Sequence, residues 1–267
     1  MIVIDFHTHA FPQHTASKAI NYLSKKAGIK AYTDGTLEGL KRSMKKAKIN
    51  YSVICNIATR PKHVDAIFSW CNSIKNSENS IISLPSILPN MRDRILWVEK
   101  IAKAGFKGIK LHPEYQNFFV DDRNIYELYE AIEEKNMFIL FHAGEDSGFR
   151  PPFHSCPMRF SKLIRDLPNV KIIIAHMGSY RMYKETEEYI LGKNVFIDTS
   201  YCLAEIPLEM LKKFFSKHPV ERIIFGTDSP WRDQKTCLEY FLSLPFVRDE
   251  DKEKILYLNA KNLLIEL

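Results

Sequence analysis

His7 and His9 flank a threonine in Asp5-Phe6-His7-Thr8-His9. His112, His142 and His176 each close a short apolar run, as does Asp228 in Phe225-Gly226-Thr227-Asp228-Ser229-Pro230. Imidazole nitrogens with a carboxylate oxygen form the donor set that suits Zn²⁺, and Mn²⁺, Fe²⁺ and Co²⁺ accept it as well. On a strand, residues i and i+2 share a face, so His7 and His9 can grip one ion from the same side. His142 and Asp228, arriving from other strands, complete a nitrogen-rich site capped by oxygen. A His-x-His pair alone is most often a surface coincidence, and a lone His142 or His176 a hydrogen-bonded core residue. Five histidines and an aspartate, all at the ends of apolar runs, point to a metal instead. Clustered without one, they need an unusually complete set of polar partners.

These side chains meet only if the elements bearing them bring the run ends together. Eight runs of four to six residues, rich in Ile, Val and Phe, read as strands buried on both faces. They are 2–6, 52–57, 81–85, 108–111, 137–141, 170–175, 195–198 and 222–225, and Pro85 marks the end of the third. Helical periodicity fills the gaps. Leu37, Leu40 and Met44 follow Thr36 as N-cap, and Ile95, Val98, Ile101 and Ala102 end at Gly105. Ile125, Leu128, Tyr129 and Ile132 follow Asp122, and Leu208, Leu211 and Phe215 follow Pro207 in the first turn. Eight strand–helix repeats in about 250 residues are the arithmetic of a (β/α)8 TIM barrel, whose strand C-termini share one rim. A doubly wound α/β sheet opens on a glycine-rich turn, and no Gly-x-Gly-x-x-Gly occurs here. With no linker-like stretch or break in composition, residues 1–267 read as a single domain.

Composition narrows the function classes. With 45% hydrophobic and 26% charged residues, the 267-residue chain is globular rather than disordered or low-complexity. The net charge of +6 is mild and dispersed, with short clusters such as Lys25-Lys26 and Lys45-Lys46. It argues against a nucleic-acid partner and suits a small anionic substrate. Five cysteines, odd in number and never in a Cys-x-x-Cys pair, exclude a disulfide framework and fit a reducing cytoplasm as small buried hydrophobes. No secretion signal or membrane-length apolar run is found, so a cytoplasmic location is expected. Of the remaining histidines, His14, His63 and His218 read as solvated surface residues. His154 lies with Arg150 in the Pro-rich segment from Gly144 to Pro157, which overhangs the rim either as a substrate lip or as a structural loop.

Asp5-Phe6-His7-Thr8-His9, Gly105 to Pro113, Phe141-His142-Ala143-Gly144, Ala175-His176-Met177-Gly178 and Phe225 to Pro230 resemble the amidohydrolase superfamily. The likeness is greatest to its amidohydrolase-2 branch, which includes aminocarboxymuconate-semialdehyde decarboxylase-like proteins, and it covers essentially the whole chain. The resemblance implies that His7, His9, His142 and Asp228 bind one divalent metal, Zn²⁺ by preference. His176 lies beside it, to polarise substrate or to complete a second metal position. Many relatives carry a bridging glutamate or CO2-modified lysine at the Lys110 position. Lys110 here either bridges two ions when carboxylated or stays cationic and binds an anionic substrate, unless it merely pairs with Glu114.

The chemistry expected is hydrolysis of a C–O or C–N bond in a lactone, ester or amide by metal-activated water, with Asp228 as proton shuttle. His176, Lys110, His112 and Arg150 are the further catalytic and substrate-binding candidates. The alternative on the same scaffold is non-oxidative decarboxylation of an aromatic or muconate-like acid, with Lys110, Arg150 or Arg181 orienting its carboxylate. A metal-dependent DNase is disfavoured by the absence of a glutamate at position 110. A non-catalytic metal-binding barrel is the third reading. Relatives often pair, so a homodimer is also expected.

Overall fold

The computed structural model describes residues 1–265. Short parallel strands alternate with helices along them: β1 (Ile4–Thr8), β2 (Tyr51–Cys55), β3 (Ile81–Leu84), β4 (Gly108–Leu111), β5 (Phe138–Phe141), β6 (Lys171–Ile174), β7 (Phe196–Asp198) and β8 (Ile223–Ile224). Strands β1 to β3 pair in sequence order, and so do β4 to β8. Backbone hydrogen bonds close both seams. Lys110 N–H donates to Pro85 O across β3 and β4 at 2.9 Å. Phe6 N–H donates to Phe225 O at 2.9 Å and Asp228 N–H to His7 O at 2.7 Å across β8 and β1. The result is the expected (β/α)8 barrel. Pro85 lies just past the end of β3, where its missing N–H costs the ladder nothing and its carbonyl still accepts from β4.

Local chemistry explains the helix ends. In the helix Leu37–Ala47 the Thr36 hydroxyl accepts from Gly39 N–H at 2.9 Å, as an N-cap should. The helix Arg94–Lys103 stops just before Gly105, whose φ of 77° only glycine adopts cheaply. Pro207 stands one position before the helix Leu208–Lys217 rather than inside its first turn. Asp122 caps a 3₁₀ turn, Arg123–Ile125, that leads into the helix Tyr126–Glu134.

Two apolar layers result. Strand residues facing outward pack under the helices, and a smaller set fills the cylinder. Phe6 on β1 and Phe138 on β5 touch across the interior with ring centroids 5.6 Å apart. A Cβ on Gly108 would lie 2.2 Å from the Phe138 ring, so glycine there is what lets the phenylalanine in. Ala260 and Leu263, from the last described helix, Asn259–Ile265, join this inner cluster. His218, expected at the surface, is buried. Its Nδ1 accepts from Gly192 N–H and its Nε2 faces Val195 O at 3.1 Å, and burial lowers its pKa to about 4. His14 is exposed, as expected, whereas His63 is half-buried, with its Nδ1 3.2 Å from the Thr59 hydroxyl. No helix among the described residues is long and apolar enough to cross a membrane.

Candidate metal and active site

His7 reaches the barrel mouth because β1 is irregular. Ile4 and Phe6 point inward, so strict alternation would turn His7 outward with Asp5. Between Asp5 and Thr8 the pairing with β2 shifts by one residue. Such an irregularity re-aims a side chain, and here it puts His7 and His9 on the inner side together. Opposite them, Asp228 follows β8 with φ of 67°, an uncommon backbone state for a residue other than glycine. A Cβ on Gly226 would lie 2.9 Å from His7 Cβ, so the β8 segment must be bare there for β1 to close against it.

The donor atoms of His7, His9 and Asp228 lie within 4.8 Å of one another. His9 Nε2 is 3.0 Å and His7 Nε2 3.5 Å from Asp228 Oδ1. Both imidazoles are oriented from behind: His7 Nδ1 is 2.8 Å from Asp198 Oδ2, and His9 Nδ1 is 2.9 Å from the Cys55 carbonyl. Each acceptor draws the ring hydrogen to Nδ1, which leaves Nε2 as a lone pair aimed at the mouth. Two directed nitrogen lone pairs and a carboxylate at one point fit a divalent cation. Burial pushes Asp228 upward, but the closely placed His9 and His7 rings outweigh it and hold the carboxyl at about 2. Burial, aided by Lys110, lowers His7 to about 4, so its ring is neutral and able to ligate near pH 7.

The other expected residues occupy the adjoining wall. His176 stacks on His7 with centroids 5.3 Å apart, and its Nε2 is 3.0 Å from His142 Nδ1. His142 does not share the 4.8 Å group of His7, His9 and Asp228. Its Nε2 is buried without a hydrogen-bond partner, and its ring lies face to face with His112 at 4.0 Å and 5°. His112, His142 and Asp146 also bring donor atoms within 4.8 Å. Parallel stacked rings, however, carry parallel in-plane lone pairs, which do not meet at one ion. Burial drives the pKa of both rings well below the ordinary histidine value. Lys110 is enclosed, its Nζ 3.2 Å from His7 Nε2, and burial lowers its pKa. It does not pair with Glu114, whose carboxylate instead accepts from His154 N–H at 2.6 Å. Arg150 is exposed, and Arg181 lies over Tyr180.

That His154 bond ties the segment after β5 to the short helix Pro113–Gln116. Gly144 N–H to Ser155 O and Val120 N–H to His154 O secure it further. Its Phe149 ring packs against Tyr115, which touches His112 in turn, and Lys26 Nζ sits over both Phe149 and Tyr115.

Three buried polar residues were missed by sequence reasoning. Asp198 ends β7, and the signal was present: it closes an apolar run as Asp228 does. Ser200 Oγ lies 3.1 Å from His7 Nδ1 and 2.9 Å from His176 Nδ1 and bonds Asp198 Oδ1 at short range. Asp5 accepts from Thr227 N–H, Thr227 Oγ1, His7 N–H and Gln234 Nε2, and so joins β1 to the β8 segment. Burial nevertheless raises its pKa to about 7.

The sequence profile of the amidohydrolase family matches residues 4–264. The chain belongs to the amidohydrolase family. Its fold is shared by a TIM-barrel protein of Bordetella bronchiseptica at 19% identity and TM-score 0.74, covering 99% of this chain and 98% of that one. The 5-carboxyvanillate decarboxylase of Sphingomonas paucimobilis aligns at 12% identity and TM-score 0.74 over 98% of each chain. A probable 2-pyrone-4,6-dicarboxylic acid hydrolase from Acinetobacter baumannii aligns at 14% and 0.69 over 99% of each. No curated protein matches the sequence.

Proposed function

We propose that this amidohydrolase is a metal-dependent hydrolase that cleaves a C–O or C–N bond, as in a lactone, ester or amide, of a small anionic substrate. The observation that carries this is the meeting of His7 Nε2, His9 Nε2 and the ionised Asp228 carboxylate at one point of the barrel mouth. The donor set suits a single Zn²⁺, with His142 as the fourth protein residue on the adjoining wall. When bound, such an ion supplies Lewis acidity and makes water nucleophilic at neutral pH. Asp228, ionised, accepts the proton from the attacking water and returns it to the leaving group. Lys110 offers a positive charge, and His142 and His112 a polar wall, for the substrate's anionic group. The Phe149–Tyr115 contact holds the 144–157 segment over that wall as a lip that limits water.

Metal analysis combined with a panel of lactones, esters, amides and aromatic acids tests the reading. Zn²⁺-dependent hydrolysis, about one equivalent of ion per chain, and loss of turnover in Asp228→Asn are the expected results. Release of CO2 from an aromatic acid, without hydrolysis of any panel member, would replace it with the decarboxylation that the Sphingomonas relative is named for. Near-normal turnover in Asp228→Asn with the metal retained would remove the shuttle role.

A further inference from the structure

Donor and acceptor counting around Asp198 leads from β7 into the rings of the mouth. The carboxylate only accepts. Its Oδ2 takes the His7 Nδ1 hydrogen at 2.8 Å, and its Oδ1 takes His176 N–H at 2.9 Å, Ser200 N–H at 3.0 Å and the Ser200 hydroxyl. The single Ser200 hydroxyl hydrogen is thereby committed to Asp198, so Oγ has only lone pairs left for its other neighbours. Those neighbours are His7 Nδ1 at 3.1 Å and His176 Nδ1 at 2.9 Å, and both must bring a hydrogen. The Ser200 carbonyl, 3.3 Å from His176 Nδ1, can likewise only accept.

With its hydrogen on Nδ1, neutral His176 presents a bare Nε2, and His142 Nδ1 lies 3.0 Å from it. One hydrogen sits between those two nitrogens, and it belongs to His142. His142 Nε2 is then a bare lone pair, buried and unpartnered. The opposite placement would leave a buried N–H with no acceptor, which is the rarer and costlier defect. Lys110 Nζ, a donor, facing His7 Nε2 at 3.2 Å agrees with the same assignment for His7.

We propose that Ser200, acting with Asp198, is a positioning residue that sets the Nδ1–H tautomer of His7, His176 and, through His176, His142. The residue pair at the end of β7 thereby turns three rings so that each Nε2 is free of hydrogen. For His7 and His142 that nitrogen is the one offered to a ligand. The inference rests on the reading of the mouth as a metal site only for its consequence, a preformed set of acceptors. The tautomers themselves exist whether or not an ion binds.

Two-bond ¹⁵N–¹H spectra of the ¹⁵N-histidine-labelled full chain, recorded after chelation and again with Zn²⁺ added, read the ring hydrogens directly. The expected wild-type pattern is a hydrogen on Nδ1 and none on Nε2 for His7, His142 and His176. In Ser200→Ala the His176 pattern becomes mixed and Zn²⁺ affinity falls between about 10-fold and 100-fold, with recovery in Ser200→Thr. Asp198→Asn, which replaces an accepting oxygen with a donating amide, moves the His7 hydrogen to Nε2. An Nε2–H on His142 or His176 in the wild type, or ring signals unchanged in both Ser200→Ala and Asp198→Asn, overturns the proposal. The expected tautomers without any Zn²⁺ binding would instead leave it standing and remove the metal reading.

Discussion

The two sides of the barrel mouth are built differently. On the β1, β7 and β8 side, His7, His9, Asp198 and Ser200 each have at least two polar contacts within 3.1 Å, and Asp228 is held ionised among them. On the β4 and β5 side, His112 and His142 stack as neutral rings, one buried nitrogen lacks a partner, and the lip is tied to the helix Pro113–Gln116 by the Glu114–His154 bond and packs its Phe149 ring on Tyr115. A network with its partners in place is rigid and costly to break. A wall with an open lone pair has given up stability and is free to meet something from outside. The first side holds position, and the second leaves chemistry unfinished.

Substitutions can break that contrast. The largest effect is expected from Asp228→Ala or His9→Ala, which should abolish metal retention and lower turnover at least about 100-fold, checked by metal analysis and steady-state rates. Next comes Asp198→Ala, which strands two backbone N–H groups, a hydroxyl and the His7 ring. Denaturant unfolding should show a loss of about 3–5 kcal/mol. His142→Phe replaces an already unsatisfied ring, so its unfolding cost should be clearly smaller than that of Asp198→Ala, about 1 kcal/mol, although turnover is lost. An equal cost for the two variants would erase the distinction between the sides.

His218, remote from the mouth, supplies a pH control. Its pKa lies near 4 in the folded chain against 6.5 for an ordinary histidine, so the unfolded chain binds the extra proton first. The contribution of His218 to stability is therefore full above pH 6.5 and declines as pH falls towards 4, by about 3 kcal/mol. His218→Gln should flatten that decline, read from denaturant midpoints across the window. The smallest effect belongs to Arg150→Ala. The side chain is exposed, and stability should change by no more than about 0.5 kcal/mol, with Zn²⁺ affinity unaltered. A large rise in KM in that variant would return Arg150 to the substrate site.

Much of this was legible along the chain. Strand runs buried on both faces show as unbroken Ile, Val and Phe, so the eight strands and the rim residues His7, His9, His112, His142, His176 and Asp228 could be read before any coordinates. Burial that depends on distant neighbours could not. His218 looks like any helix-end histidine until Gly192 and Val195 are seen around it. Lys110 looked ready to pair with Glu114 four residues on, but the inward face of β4 carries it to His7 on β1 instead.

Residue types and their periodicity by themselves determined the barrel, its polar rim and the presence of a metal-type donor set. Those follow from local rules: which side chains a buried strand tolerates, and which residues stand where it ends. Only the tertiary structure decided which nitrogen of each ring is free, because tautomers depend on acceptors that arrive from other strands. The irregularity in β1 that turns His7 inward, the Asp198–Ser200 pair behind it and the stacking that sets His142 apart are all of that kind. Each is a relation between segments far apart in sequence, and no spacing along one segment encodes it.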